Sequence, residues 1–153
     1  MLRAAIVARR QSMTIHIHSM ADFKQWSSQH ALTERASPLF CIFICSTVEN
    51  EQPPEEAGPC VRFFHRRAHD STELLANRLV YAVLGLGDSN LLLDRQTTTA
   101  DDCNQVAARL DVRLAALGAE RLHACGKVDD RTGNRELEPW IAECAAALLV
   151  LPS

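Results

Sequence analysis

Two stretches of this chain are apolar at almost every position. Leu79 to Leu84 and Leu39 to Ser46 are rich in β-branched and aromatic residues and have the length of strands, so they read as strands buried on both faces of a parallel sheet. After Leu84 the chemistry changes abruptly. Gly85-Leu86-Gly87-Asp88-Ser89-Asn90 places two glycines and three small polar side chains where the strand should stop, which predicts a sharp turn. The Leu39 strand ends in Ser46-Thr47 and runs into the loop Val48-Glu49-Asn50-Glu51-Gln52, closed by Pro53-Pro54. Thr14 to Met20 alternates instead, with Ile15 and Ile17 on one face and His16 and His18 on the other, the pattern of a strand near a sheet edge. Two histidines at this spacing could share a metal, but no third ligand is recognisable near them, and solvated edge histidines are the simpler reading.

The other segments carry helical spacing. Leu2, Ile6, Arg9 and Met13 predict a helix at the N-terminus, and Ala21 to Pro38 reads as a polar connection with a short helix inside it. Glu55-Glu56 opens a helix that should run through Val61, Phe63, Phe64 and Ala68 to about His69, acids being favoured in a first turn. Asp101 and Asp102 are placed to cap a helix over Cys103 to Leu117, with Val106, Leu110, Leu114 and Leu117 inward and Gly118 ending it. A short last strand is expected at Arg121 to Cys125, a polar loop at Gly126 to Arg135, and a closing helix from Glu136 to Leu151 with Leu137, Ile141, Ala145 and Leu148 inward. Strands alternating with helices imply an α/β fold, a parallel sheet with helices on both faces. In such sheets ligands bind outside the carboxyl ends of the strands, which makes Gly85 to Asn90 the first candidate for the rim of a site.

Composition narrows the classes. A chain of 153 residues suits one domain, and 47% hydrophobic with 23% charged residues is ordinary globular usage. A formal charge of -3 disfavours general nucleic-acid binding, and no apolar run has the length of a membrane span. The six cysteines contain no C-x-x-C pair, and Cys41 and Cys45, on one strand face, would lie about 13 Å apart. That excludes a shared zinc ion or disulfide and predicts buried, reduced thiols in a cytoplasmic protein. Arg3, Arg9 and Arg10 with no acid before Asp22 make a mitochondrial presequence the alternative reading of the N-terminus.

The order of motifs then resembles one family. Ser46-Thr47 with Pro53-Pro54, Tyr81-Ala82-Val83-Leu84-Gly85-Leu86-Gly87-Asp88-Ser89, Arg113-Leu114-Ala115-Ala116-Leu117-Gly118-Ala119, Gly126 with Asp129-Asp130, and Glu138-Pro139-Trp140-Ile141 follow one another as in the flavodoxin-like FMN domain of NADPH-dependent diflavin reductases, of the methionine synthase reductase and Fe–S-assembly type. The resemblance covers about Ser12 to Leu149. It implies a sheet of strand order 2-1-3-4-5 with FMN at the carboxyl ends. The flavin would lie between Ser46, Thr47, Val48, Glu49 and Asn50 on one side and Gly85, Leu86, Gly87, Asp88, Ser89, Asn90 and Leu91 on the other, with Asp129 approaching from the side. It also implies partners, an NADPH/FAD reductase module that supplies electrons and a protein that accepts them, with no role for nucleic acid or membrane. On the same pattern the whole chain is one domain, residues 1–13 being the remnant of the family's first helix. The first strand and its phosphate-binding loop then have no counterpart, and one edge of the Leu39 strand is left open. Glu49 and Glu51 stand where the family has glycines, Leu91 and Val48 where it stacks aromatic rings on the flavin, and about nine extra residues follow Leu91. Loss of a stacking ring, at about 0.5–1.5 kcal/mol, and of two or three phosphate hydrogen bonds, at about 1.5–3 kcal/mol each, would move a nanomolar flavin site to the micromolar–millimolar range.

Two other readings remain open at this point. Gly87-Asp88-Ser89-Asn90 is similar to the nucleophile block of GDSL-type esterases, with Ser89 as nucleophile, although the sequence contains no Asp-x-x-His. A flavin-free interaction domain would use Glu49, Glu51, Glu55 and Glu56 as an acidic rim for a basic partner.

Overall fold

The computed structural model describes residues 15–48, 51–92 and 99–150. The expected N-terminal helix, Thr14, Glu49 and Asn50 lie outside the described residues. Strand β1 (Leu39–Ser46) pairs in parallel with β2 (Leu79–Gly87), from Leu39 opposite Leu79 to Ser46 opposite Leu86. Two short strands share the other edge of β2. Strand β3 (Glu120–Arg121) lies beside Val80 and Tyr81, and β4 (Gly126–Asp129) lies beside Leu84 to Gly87, both parallel. Among the described residues four helices complete the layers: α1 (Phe23–Gln29), α2 (Gly58–Phe64), α3 (Gln105–Ala116) and α4 (Leu137–Leu149).

The period-2 geometry of β2 sends alternate side chains into two cores. Leu79, Tyr81 and Val83 enter the larger one, against Phe64 of α2 and Leu110 and Leu114 of α3. In that core the Phe23 ring of α1 meets Phe63 and Phe64 at 5.3 and 5.0 Å. Ala82 and Leu84 enter the second core, against Val128 of β4 and Trp140 and Cys144 of α4. Each large apolar side chain buried in this way contributes about 1.5–3 kcal/mol, so β2, buried from Leu79 to Gly85, anchors both layers. Tyr81 also carries a polar tie. Its hydroxyl donates to the Asp111 carbonyl at 2.8 Å, while Arg121 grips the Asp111 carboxylate with two bonds of 2.8 Å. Burial first, then the Asp111 charge, pushes the phenol up to about 12, so it stays a neutral donor.

Several expectations need correction. Ile15 to Ser19 forms no strand: Ile17 is 85% exposed, and Ser19 caps the tight turn Met20–Asp22, its side chain accepting from Ala21 N at 3.2 Å. An alternating pattern forms a strand only beside a partner, and no described strand runs beside it. Among the described residues, strand β1 is covered unevenly. Phe43 and Cys45 are buried on one face, whereas on the other Ile42 packs in part against the second core and Phe40 and Ile44 are 46% and 49% exposed. The helix after Glu55 is also shorter than expected. A 3₁₀ turn at Glu55–Ala57 leads into α2, which stops at Phe64, and the rings of His65 and His69 close its end by bonding the Val61 and Phe63 carbonyls. Asp101 makes no cap; it pairs with Lys127, while the Asp102 carboxylate reaches back to the Thr99 N–H at 2.7 Å. Gly118 does end α3 as expected, at φ +87°, with Ala119 N bonded to Leu114 O in the 6→1 pattern.

The last strand is split. After Leu122, whose N–H still donates to the Tyr81 carbonyl at 2.7 Å, the chain leaves the sheet through His123 to Cys125, held by Trp140 Nε1 donating to the Ala124 carbonyl at 2.8 Å, and the segment expected to be a polar loop returns as β4. Strand β2 runs to Gly87, so Gly85 and Gly87 are extended rather than turning. Gly85 serves close packing: a Cβ there would overlap Asn104 Oδ1 and lie 2.8 Å from the Ala107 Cβ of α3. Gly85→Ala should therefore lower stability by about 1–3 kcal/mol, as overpacked cores do, read as a reduced urea midpoint at unchanged slope.

Candidate functional site

The parallel register brings the carboxyl ends of β1 and β2 side by side, and the cleft between them has a volume of about 860 Å³. Ser46, Thr47 and Val48 form one wall. Leu86, Gly87, Asp88 and Leu91 form the opposite one, and Asp130, Asn134 and Leu137 close the third side. Three of the loops picked out in the sequence therefore meet at one place.

Each wall is fixed from below by hydrogen bonds that the sequence pattern does not reveal. Thr47 Oγ1 accepts from the Val106 N–H at 3.0 Å, tying the β1 loop to the first turn of α3. Val48 N donates to the Gln52 carbonyl at 2.9 Å, which folds the loop back on itself. On the β2 side, Asp88 Oδ1 accepts from the Asn90 N–H at 2.8 Å, an Asx turn that starts the short turn Ser89–Leu91. Beneath it lies the strongest link of the site. Asp129 ends β4, is 2% exposed, and accepts from Ser89 N at 3.0 Å, Ser89 Oγ at 2.7 Å and Arg131 N at 3.1 Å. Asn104, fully buried, donates to the Ala100 and Val128 carbonyls at 2.8 and 2.9 Å and so holds α3 against β4, while its Oδ1 has no hydrogen-bond partner and occupies the space a side chain at Gly85 would need.

The candidate residues thus divide. Ser46, Thr47, Val48, Leu86, Gly87, Asp88 and Leu91 line the cleft. Gly85 sits inside β2 under Asn104, Asn90 points to solvent, and Asp129 lies beneath the surface as a support. Glu49 and Asn50 are outside the described residues. Asn134 and Leu137 were not singled out as site residues. Asn134 is brought in by two successive left-handed residues, Gly133 at φ +74° and Asn134 at φ +57°, and its amide then bonds Asp130 Oδ1 at 2.9 Å. The Thr-Gly-Asn sequence was the available signal for that turn.

The geometry bears on the chemistry open to the site. Ser89 is fully buried and its hydroxyl is bonded to a carboxylate, so it does not present a nucleophile to the cleft. Glu51, expected on an acidic docking rim, faces Arg109 at 3.4 Å. Among the described residues no group of three His, Cys, Asp or Glu side chains is arranged to hold a metal. All six cysteines are free thiols, and burial pushes Cys41 and Cys45 up to about 12 and Cys103, Cys125 and Cys144 up to about 11, so none is poised as a thiolate.

Burial acts to raise the pKa of Asp129, but the bonds from Ser89 N, Ser89 Oγ and Arg131 N, with the Arg131 charge, outweigh it and hold the carboxyl below its ordinary value. A depressed folded pKa adds stability that is complete above the ordinary aspartate pKa of 3.8 and is lost as pH falls through the folded value. Asp129→Asn should cost about 2–3 kcal/mol at neutral pH, the scale of charge-assisted hydrogen bonds left unmade. In urea titrations across the acid range, the gap between variant and wild type should narrow below about pH 4 as the native carboxylate protonates.

Comparison with known proteins follows the same outline. The family model described as Flavodoxin matches residues 3–143. The chain is 32% identical over 126 residues to the methionine synthase reductase of Caenorhabditis elegans, covering 78% of this chain and 17% of that protein. It is 35% identical over 126 residues to the methionine synthase reductase of Bos taurus, covering 80% and 16%. The NADPH-dependent diflavin oxidoreductase 1 of Schizosaccharomyces pombe is 31% identical over 122 residues, covering 80% and 18%. The chain therefore spans less than a fifth of the length of these curated relatives.

Proposed function

The chain belongs to the flavodoxin family, and on that premise we propose that its cleft holds FMN and that the domain passes electrons. It is a flavodoxin-like domain related to the diflavin oxidoreductases. The observation that carries the proposal is the pairing of Ser46 with Leu86, which sets the β1 and β2 loops on opposite sides of one cleft at the carboxyl ends of the strands.

The lining suits a flat heteroaromatic ring. Val48, Leu86, Leu91 and Leu137 offer apolar surface to its faces, and Ser46, Asp88, Asp130 and Asn134 offer polar groups to its heteroatom edge. A bound flavin supplies the redox chemistry, since it takes electrons in a pair and can release them singly. The chain's own residues supply position and shelter. Val48 and Leu91 would shield the ring from water, and the turn Ser89–Leu91, locked to Asp129, would hold the wall against it. Electrons would come from an NADPH/FAD module and leave to a protein acceptor, in line with relatives that are a methionine synthase reductase and an NADPH-dependent diflavin oxidoreductase. No helix among the described residues is long and apolar enough to cross a membrane. The free, largely buried thiols favour a reducing compartment, the cytoplasm in this reading.

Titration with FMN tests the proposal. The protein should quench FMN fluorescence with a Kd between micromolar and millimolar. Leu91 is 67% exposed over the cleft. Leu91→Trp should tighten binding about two- to tenfold, the value of one aromatic stacking contact, and Leu91→Asp should weaken it. Absence of quenching at millimolar protein, or indifference to both substitutions, would remove the flavin from this cleft.

A further inference from the structure

We propose that the cleft recognises the uncharged part of a flavin and gains no affinity from the 5′-phosphate, so that its ligand class is the neutral flavin, riboflavin as readily as FMN. The inference rests on the flavin reading of the same cleft and adds its selectivity.

Two independent features carry it. The first is charge. Asp88 and Asp130 line the cleft, and no Lys, Arg or His is among its described lining residues. Among the described residues, Lys127 pairs with Asp101, Arg109 with Glu51 and Arg135 with Glu136, while Arg131 acts on the buried Asp129. The second is the state of the backbone donors. A phosphate is held by N–H groups that converge on an empty space. Here three successive N–H groups after the carboxyl end of β2 already point at acceptors of the chain. Ser89 N is taken by Asp129 Oδ1, Asn90 N by Asp88 Oδ1, and Leu91 N by the Asp88 carbonyl. Across the cleft, Val48 N is taken by the Gln52 carbonyl, and Arg131 N by Asp129 Oδ1. The protein's own carboxylates fill the places where a ligand anion would bind, and two of the acids around the cleft remain to repel a dianion.

The sign of the salt effect follows. A phosphate cradle attracts FMN, and added salt weakens it. A cleft rimmed by carboxylates repels the phosphate, and salt screens that repulsion, over a Debye length of about 30 Å at 0.01 M and about 3 Å at 1 M. Riboflavin, being neutral, responds little in either case.

The full chain is titrated with riboflavin and with FMN in parallel, by quenching of flavin fluorescence, at about 0.02 M and about 0.5 M salt. The expected result is a riboflavin Kd within about threefold of that for FMN, or tighter, with FMN affinity constant or rising as salt is added. FMN binding more than about threefold tighter than riboflavin at low salt, or weakening with salt in a way riboflavin does not share, overturns the inference and leaves the proposed function standing. Quenching of neither flavin at the highest soluble concentration of each overturns both.

Discussion

Strand β2 is paired along both edges and covered on both faces, and the geometry of the cleft depends on that. A strand in this position cannot slip. Moving its register by one residue would send Tyr81 and Val83 into the space shaped for Ala82 and Leu84, against the different side chains of the second core. With the register fixed, Ser46 must stand beside Leu86 and Asp129 beside Gly87. The three loops that form the cleft are therefore placed by packing far below it, in residues that never meet a ligand.

Carboxylates do most of the local work above that floor, and they do different things. Asp129 is buried and holds two loops together, so its charge is spent on Ser89 and the Arg131 N–H. Asp88 turns the chain at the end of β2 while keeping its place on the cleft wall. Asp111 never approaches the cleft: it secures Arg121 beneath Tyr81 and keeps β3 beside β2. One residue type thus supports the fold, shapes a turn and sets the charge of a surface, and burial and partners decide which.

Much of this was legible in the sequence, and what was not has physical causes. The bounds of β1 and the start of β2 follow from apolar runs, because a strand beside neighbours must be greasy. The pattern ends β2 too early because glycine reads as a turn residue, whereas at Gly85 it makes room for Asn104 and Ala107. The last strand was misplaced because half of it, Gly126 to Asp129, carries Lys and Asp. Its polar side chains are satisfied by Asp101 and Ser89, partners far away in sequence that no local pattern can show. Ile15 to Ser19 failed in the opposite sense, since its alternation had no described strand to pair with. At the site, the loops were found and the roles within them were not. Ser89, which looks like a reactive serine in the Gly-Asp-Ser-Asn run, is a buried rivet.

The placement of exposed apolar surface points the same way as the hydrogen bonds. Strand β2 buries every side chain from Leu79 onward and then exposes Leu86 at the cleft, and Val48 and Leu91 on the flanking loops are exposed beside it. A chain that can bury so much gains nothing in stability by leaving these three in water, and apolar surface gathered at one place marks a binding site. The walls that carry them are fixed before any ligand arrives, by Thr47 on α3, by Val48 on Gln52 and by Ser89 on Asp129. A flat ring entering the cleft would displace water from apolar faces whose described supports are already in place. On the proposed flavin reading, a cleft whose described donors are taken by the chain itself would hold the ring rather than the phosphate, and the rigidity of the Ser89–Asp129 contact would then be part of the affinity as well as of the fold.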